Sequence, residues 1–317
     1  MLAANIVPYS FRPYLQSNVL LWRDVLHSYA RLDGGGTRER PEILKAFSDK
    51  RTFGFAMAHA PKDQGETLSQ FVSFCWLHPD NDMCRRGNSY IYTNLYPNKK
   101  KGNALETNVN ADLLRIVSSM IKMNASSTVS KIIFYTYAIL CSQVYLDDFE
   151  GALFTTNQTD KRARVPFVND RRLFLEIAEL GEKLASLEKP GFAPDNLLRF
   201  DYEFILSQLP ANFHLKKNDH PFDEDNELLI LTDGKTRIQI PCPLSLQKLN
   251  ISGYDVIKNS WLKFNSFDFT NCEFNHDDLK GLLDFLNILA THEYLVAKID
   301  EKVHKVLDNT MGLIPLP

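Results

Sequence analysis

The chain of 317 residues is 44% hydrophobic and 24% charged, with a formal net charge of -3. That length and apolar content predict one large domain or two ordinary ones and exclude a disordered or collagen-like chain. No run of about 18 uncharged apolar residues offers a membrane span, and no basic start followed by an apolar run marks a signal peptide, so a cytoplasmic protein is expected.

Residues 1–110 read as strands and loops. Thr52–Ala58 and Gln70–Leu77 are short, aromatic and β-branched, and Asn88–Thr93 alternates, so three strands are expected there. Gly34-Gly-Gly36 with Thr37–Arg40 reads as a basic tip, and His78–Asp82 as a turn. Pro41–Ser48 predicts a short helix with proline in its first turn. Residues 107–190 read as helical. Leu113, Leu114, Val117, Met120 and Ile121 fall at 3/4 spacing. Ser127–Ser130 is expected to cap a second helix carrying Ile132 to Leu140, and Asn169 or Asp170 a third carrying Leu173 to Leu184. The polar stretch Thr155–Arg164 between them reads as a solvated loop.

Strands are expected again over 196–265. Leu197–Leu206 is one. Glu227–Thr232, Asp233-Gly234 and Lys235–Ile240 read as a hairpin with a two-residue type I′ turn, ended by Pro241 and Pro243. The acidic run Asp219–Glu227 reads as a surface loop. Asn275 or Asp277 starts a long helix to about Leu307, with Leu279, Leu282, Leu286 and later Ile299, Val303 and Val306 on its apolar stripe. The expectation is an α+β fold in three parts: strands and loops over 1–110, a helical scaffold over 111–190, and a hairpin with a long helix over 191–317.

The sequence shows little catalytic chemistry. GxGxxG, GxxxxGK[ST] and GxSxG are absent. The five cysteines (Cys75, Cys84, Cys141, Cys242, Cys272) are widely spaced without CxxC, which predicts free thiols rather than disulfides or a zinc site. The histidines form no HExxH or HxH pair, and His292 and His304 read as surface or hydrogen-bonded helix residues. Cys75 and His78 are close in sequence, but a Cys–His nucleophile normally draws its partners from distant segments. Asp201 and Glu203 alternate along the expected strand and read as a solvated face. Asn5-Ile-Val-Pro-Tyr9 is similar to the Asn-Pro-Pro-Tyr loop of amino-methyltransferases but lacks its first proline, and no cofactor fold surrounds it. No metal site and no cofactor is expected in this chain.

Charge points instead to binding. Residues 1–110 carry 14 Lys+Arg against 10 Asp+Glu, a balance of +4; the remainder carries 22 against 29, a balance of -7. The basic clusters fall on loops: Arg38 and Arg40 on the Gly-rich tip; Lys50 and Arg51 before a strand; Arg85, Arg86 and Asn88 before another; Lys99, Lys100 and Lys101 after Tyr96-Pro97. Such clusters suit phosphate contacts, and Arg and Asn also pair bidentately with purine edges.

A collinear series of short motifs resembles the C-terminal specificity domain of type ISP single-chain restriction–modification enzymes. Tyr9-Ser-Phe-Arg12-Pro13-Tyr14 resembles the family's Tyr-Arg-Pro-Phe start, interrupted by Ser10. Arg40-Pro41 with Ile43, Leu44 and Phe47, then Phe53-Gly54-Phe55, Phe71–Trp76 and Tyr90–Pro97 follow the same order. Phe134–Tyr145 resembles the family's aromatic helix. Arg164-Val-Pro166 with Phe174 and Leu180-Gly181 resembles the next run. Ser252-Gly253-Tyr254-Asp-Val256 with Trp261-Leu262 resembles Gly-Gly-Tyr-x-Val-x-x-x-Trp-Leu, with Ser252 in place of the first glycine. The segment 215–247 reads as longer and more acidic than in the family.

The resemblance implies a target-recognition module that reads duplex DNA, with S-adenosylmethionine, magnesium and all catalysis in separate methyltransferase, nuclease and translocase modules. Contact residues follow the DNA target and do not carry over by motif, so the shared glycines and aromatics read as core and turns. A protein-interaction module without a DNA role, an inactive remnant of a restriction enzyme and a metal-dependent nuclease are the alternative readings.

Overall fold

The computed structural model describes residues 6–20, 41–57, 70–79, 83–84, 90–98, 104–153, 164–266, 268, 272–308 and 310–315. Its N-terminal part is built from small sheets. β1 (Ile6–Arg12) and β2 (Leu15–Leu20) form an antiparallel hairpin, and β1 also pairs in parallel with the short β5 (His78–Pro79). Helix α1 (Pro41–Phe47) leads to β3 (Gly54–Met57), which is flanked by β4 (Val72–Cys75) and β6 (Tyr90–Thr93). β7 (Leu95–Asn98) pairs with β8 (Ala104–Thr107). The described residues hold a strand within each of the three expected over 52–93.

Asparagine starts the next two helices. Asn110 Oδ1 accepts the N–H groups of Asp112 and Leu113 at 2.9 and 3.1 Å and opens α2 (Ala111–Ile121). Asn124 Oδ1 accepts Ser127 N–H at 2.9 Å and opens α3 (Ala125–Cys141). The expected cap at Ser127–Ser130 is therefore corrected: the helix begins a turn earlier, because Asn124 precedes the first helical residue in extended backbone. α3 is buried from Ile132 to Cys141 on every side, so its apolar length is core. Among the described residues, no single helix is long and apolar enough to cross a membrane.

α4 (Gln143–Leu153) and β9 (Arg164–Val168) follow, the latter a strand inside a region expected to be helical. It forms because Val165, Phe167 and Val168 are fully buried and its edge pairs with β15 (Thr310–Pro315) after the last helix. Asp170 caps α5 (Arg171–Ser186), as expected. α5 lies so close to α3 that a Cβ on Gly181 would sit 2.1 Å from the Phe134 carbonyl oxygen. Gly54 is equally constrained, with Tyr92 O at 1.8 Å from such a Cβ.

The expected strand Leu197–Leu206 is instead a loop and a helix, α6 (Tyr202–Ser207). Asp201 is its N-cap, accepting Phe204 N–H at 3.0 Å, and Glu203 lies in its first turn. The alternation of these two acids reflects a capped helix start, where carboxylates meet the positive end of the dipole. The acidic run 219–227 is mostly exposed, as expected, but contributes β10 (Phe222–Asp223) to a sheet with β11 (Leu228–Thr232) and β12 (Arg237–Pro241). The β11–β12 hairpin is present, but its turn is longer than two residues. Thr232 pairs with Arg237, and Asp233 Oδ1 accepts N–H from Lys235 and Thr236 at 2.8 and 2.6 Å. That Asx-type bonding closes a wider loop than a type I′ turn. α7 (Leu244–Gln247), β13 (Asn250–Ile251), β14 (Tyr254–Asp255) and a π-helix (Val256–Leu262) lead to α8 (His276–Asp308).

α8 starts at a reciprocal cap: Asn275 Oδ1 accepts from Asp277 and Asp278, and Asp278 accepts Asn275 N–H. Its 33 residues span about 50 Å and join two apolar clusters. Leu279 to Ala290 pack with the β10–β11–β12 sheet and the π-helix; Leu295 to Val306 pack with α3, α5 and the N-terminal strands.

A buried polar cluster stitches the N-terminal sheets to this frame. Glu188, just past α5, accepts Phe74 N–H at 2.8 Å, Tyr137 O–H at 3.2 Å and Tyr14 N–H at 3.5 Å. The Tyr14 hydroxyl lies 2.5 Å from His292 Nδ1 on α8. Burial pushes the Glu188 carboxyl up to about 7 against the lowering effect of its donors, and burial pushes His292 down to about 4.

Two predictions follow from packing and burial. Gly181→Ala is expected to cost about 2–4 kcal/mol, since backbone must move. Gly281→Ala on α8, with nothing within 4 Å of its Cβ, is expected to add about 0.5–1 kcal/mol; urea unfolding of both variants checks the contrast. For pH, folded Glu188 holds its proton from 4.5 up to about 7, so its contribution is complete below 4.5 and lost as pH rises through 7. His292 works in the opposite sense, its contribution present above 6.5 and lost as pH falls through about 4. Glu188→Gln removes the first slope. Relative to the wild type it should gain on the order of 3 kcal/mol between pH 4.5 and 7.5, and a constant offset in urea midpoints would refute the assignment.

Candidate nucleic-acid interface

Of the residues expected to meet DNA, Lys50 and Arg51 lie among the described residues; Arg38, Arg40, Arg85, Arg86, Asn88, Lys99, Lys100 and Lys101 lie outside them. Lys50 and Arg51 occupy the turn between α1 and β3, and both are exposed. This turn is tightly bonded. Thr52 Oγ1 donates to Ala46 O at 2.6 Å, and Thr52 N–H donates to Asp49 O at 2.9 Å. Arg51 lays its guanidinium on the Asp49 carboxylate, with Nε at 3.0 Å from Oδ1 and Nη2 at 2.6 Å from Oδ2. Those bonds hold the Asp49 carboxyl down to about 2. Asn94 then clamps the backbone on both sides of Thr52: its amide donates to Arg51 O and its oxygen accepts Phe53 N–H, each at 2.9 Å.

Lys50 and Arg51 form the rim of a cleft of about 620 Å³. Phe53 and Trp76 make its aromatic wall, Leu95 and Leu114 line it further, and Ser126 and Ser130 bring hydroxyls from the start of α3. The wall is rigid. Trp76 Nε1–H donates to Ala185 O at 2.7 Å, and Lys189 Nζ lies 4.3 Å from the indole centroid. Phe53 stacks on Phe134 and meets Trp76 at a tilt, 5.4 Å from each ring centroid. Sequence spacing singled out the two cations but not the wall, whose parts come from the residue before β3, the residue after β4 and the helix α3 behind them. The signal available was Trp76 itself, a large aromatic at the end of a strand and only half-buried.

The arrangement can bind an anion at the rim against a fixed surface. Cys75 is fully buried, and burial, then Glu188 and Cys84, push its thiol well up. A thiol so placed stays protonated and beyond reach of substrate. The Asp201 and Glu203 side chains serve α6. His292 is bonded to Tyr14 inside the fold, as the histidine reading anticipated. Among the described residues, no group of three or more His, Cys, Asp or Glu side chains comes close enough to hold a metal ion.

The family model of the Type ISP C-terminal specificity domain matches residues 1–270. Among solved structures, one titled as the cryoEM structure of a DrdV–DNA complex superposes with a TM-score of 0.56 at 12% identity, over 94% of this chain. That likeness shows a shared fold, and this chain spans 28% of that chain's length. No curated protein matches the sequence.

The burial pattern sets an expected thiol reactivity. Cys272 is exposed and the other four cysteines are buried, so iodoacetamide on the native protein should label Cys272 alone, read by peptide mass spectrometry. Rapid native labelling of Cys75 would reopen the Cys75–His78 pair.

Proposed function

The chain belongs to the Type ISP C-terminal specificity domain family, and from that premise we propose that it recognises a sequence of duplex DNA for a restriction–modification system. The family match over residues 1–270 is the observation that carries this reading; the fold shared with a chain of a DrdV–DNA complex supports it. In this reading the domain binds and the chemistry lies elsewhere. Methyl transfer, cleavage and translocation belong to separate modules, which hold S-adenosylmethionine and magnesium and onto which this domain docks.

The residues divide by role. Lys50 at the cleft rim supplies a point charge for a backbone phosphate. Arg51 contributes less, because Asp49 already neutralises its guanidinium. Arg38, Arg40, Arg85, Arg86, Asn88 and Lys99 to Lys101 are proposed as further contacts, the arginines and the asparagine able to reach purine edges. Phosphate contacts fix position on the duplex, and base contacts specify the sequence.

Fluorescence anisotropy on a duplex of about 25 base pairs, titrated at several salt concentrations, tests the reading. Binding that weakens steeply with salt is expected. Lys50→Ala should weaken binding and reduce the slope of log K against log salt by about 1. Asp49→Asn should tighten binding by freeing Arg51. Identical curves for the wild type and both variants would remove the cleft rim from the interface; no salt-dependent binding by the wild type would count against DNA recognition itself.

A further inference from the structure

The sheet β10–β11–β12 is polarised in charge from end to end. The β10–β11 turn carries Asp223, Glu224, Asp225 and Glu227. This acidic end is bonded into the fold: Glu224 pairs with Lys248 at 3.1 Å, and Glu227 Oε1 accepts Leu244 N–H at 3.4 Å. The opposite end is basic. Lys216 N–H donates to Thr232 O at 2.9 Å, and Thr232 pairs with Arg237. Arg237 therefore stands opposite Thr232 on β12, and Lys216, in the coil that precedes β10, bonds to the Thr232 carbonyl, with Lys235 in the connecting turn. All three cations are exposed.

Several features of this tip gather the cations and offset their charge only in part, through the Asp233 carboxylate beside Lys235. Gly234 has φ +92, and a Cβ there would sit 3.2 Å from Lys216 Nζ. Glycine thus permits the turn and leaves room for the ammonium to lie over it. Asp233 is the nearest acid of the turn, and its carboxylate is bonded to the N–H groups of Lys235 and Thr236. Asp219 pairs with Lys217 at 3.0 Å. Like charges gathered at an exposed tip repel one another. Their placement here, in the part of the chain with a balance of -7, calls for an anionic partner.

Resting on the reading of the domain as a DNA-recognition module, we propose that the β11–β12 tip, through Lys216, Lys235 and Arg237, is a second anchor for the sugar–phosphate backbone of duplex DNA. It lies on the second apolar cluster, whereas Phe53 and Trp76 of the cleft rimmed by Lys50 and Arg51 pack on the first. The acidic end of the same sheet repels the backbone and so orients the hairpin tip-first toward it. Lysine presents point charges rather than a base-reading fork, so the tip contributes affinity and register on the duplex, not sequence.

The test is the anisotropy titration of the full chain carrying Lys216→Gln, Lys235→Gln and Arg237→Gln together, beside a Lys248→Gln control at the acidic end. The triple variant should melt at or above the wild-type temperature, lose about tenfold or more in affinity, and lower the salt slope by about 3. The control should match the wild type. A triple variant with the wild-type slope overturns the tip while leaving DNA recognition standing. Equal losses in the variant and the control overturn a localised site in favour of a general charge effect. Absence of salt-dependent binding by the wild type overturns both this proposal and the reading beneath it.

Discussion

The Glu188 carboxyl is the interaction on which the geometry of the first half depends. It sits just past the end of α5 and takes hydrogen bonds from β4, from α3 and from the turn between β1 and β2. A buried carboxyl is expensive to desolvate, and donors from separate elements offset that cost only while those elements stay in place. Tyr14 extends the network, its N–H on Glu188 and its hydroxyl against His292 of α8. Tyr14 reaches both in a left-handed conformation, φ 58, which bulky residues adopt only when tertiary contacts repay it. With β4 fixed, Trp76 is fixed, and with Trp76 the wall of the cleft that Lys50 and Arg51 rim.

The residues that carry the family resemblance mostly belong to this scaffold. Gly54 and Gly181 are glycines because a neighbouring backbone occupies the space of a side chain. Tyr137 donates to Glu188, and Phe134 stacks on Phe53. Ser252 departs from the family's glycine yet keeps the left-handed backbone at φ 54, and its hydroxyl lies 2.8 Å from that of Ser73. The bond to Ser73 offsets the strain a non-glycine residue meets there. Motifs of this kind identify a fold because they record close approaches. They say little about a DNA sequence because most of these residues are buried against one another.

That division explains what the sequence made legible. Helices with strong periodicity and an adjacent Asp or Asn cap, such as α5 and α8, were readable, as was the β11–β12 pairing. Local patterns with two outcomes were not. Asp201 and Glu203 alternate in a strand and also suit a helix start, and a hydrogen bond from Phe204 N–H decides between them. Asp233-Gly234 signals a two-residue turn, but the Asp233 side chain closes a wider one. β9 depends on a strand partner at 310–315, far along the chain, which no local window contains. At the candidate site, Lys50 and Arg51 were visible as adjacent cations. The aromatic wall and the Lys216–Arg237 cluster were not, because both are assembled by pairing across distant segments.

Net charge understates such a protein. A chain at -3 is a poor polyanion binder on average, yet field and affinity depend on where the charges lie. Here many acids are engaged locally: Asp49 by Arg51, Asp201 and Asp233 by backbone N–H groups, Glu176 by Arg172 and Lys302. Cations left over at Lys50 and at the β11–β12 tip sit on different apolar clusters, and α8 runs through both. A continuous helix with a capped start resists bending between its two halves, so two phosphate anchors carried on those clusters would keep a set spacing. Spacing, rather than the strength of either contact, would then fix the register of the domain along a duplex.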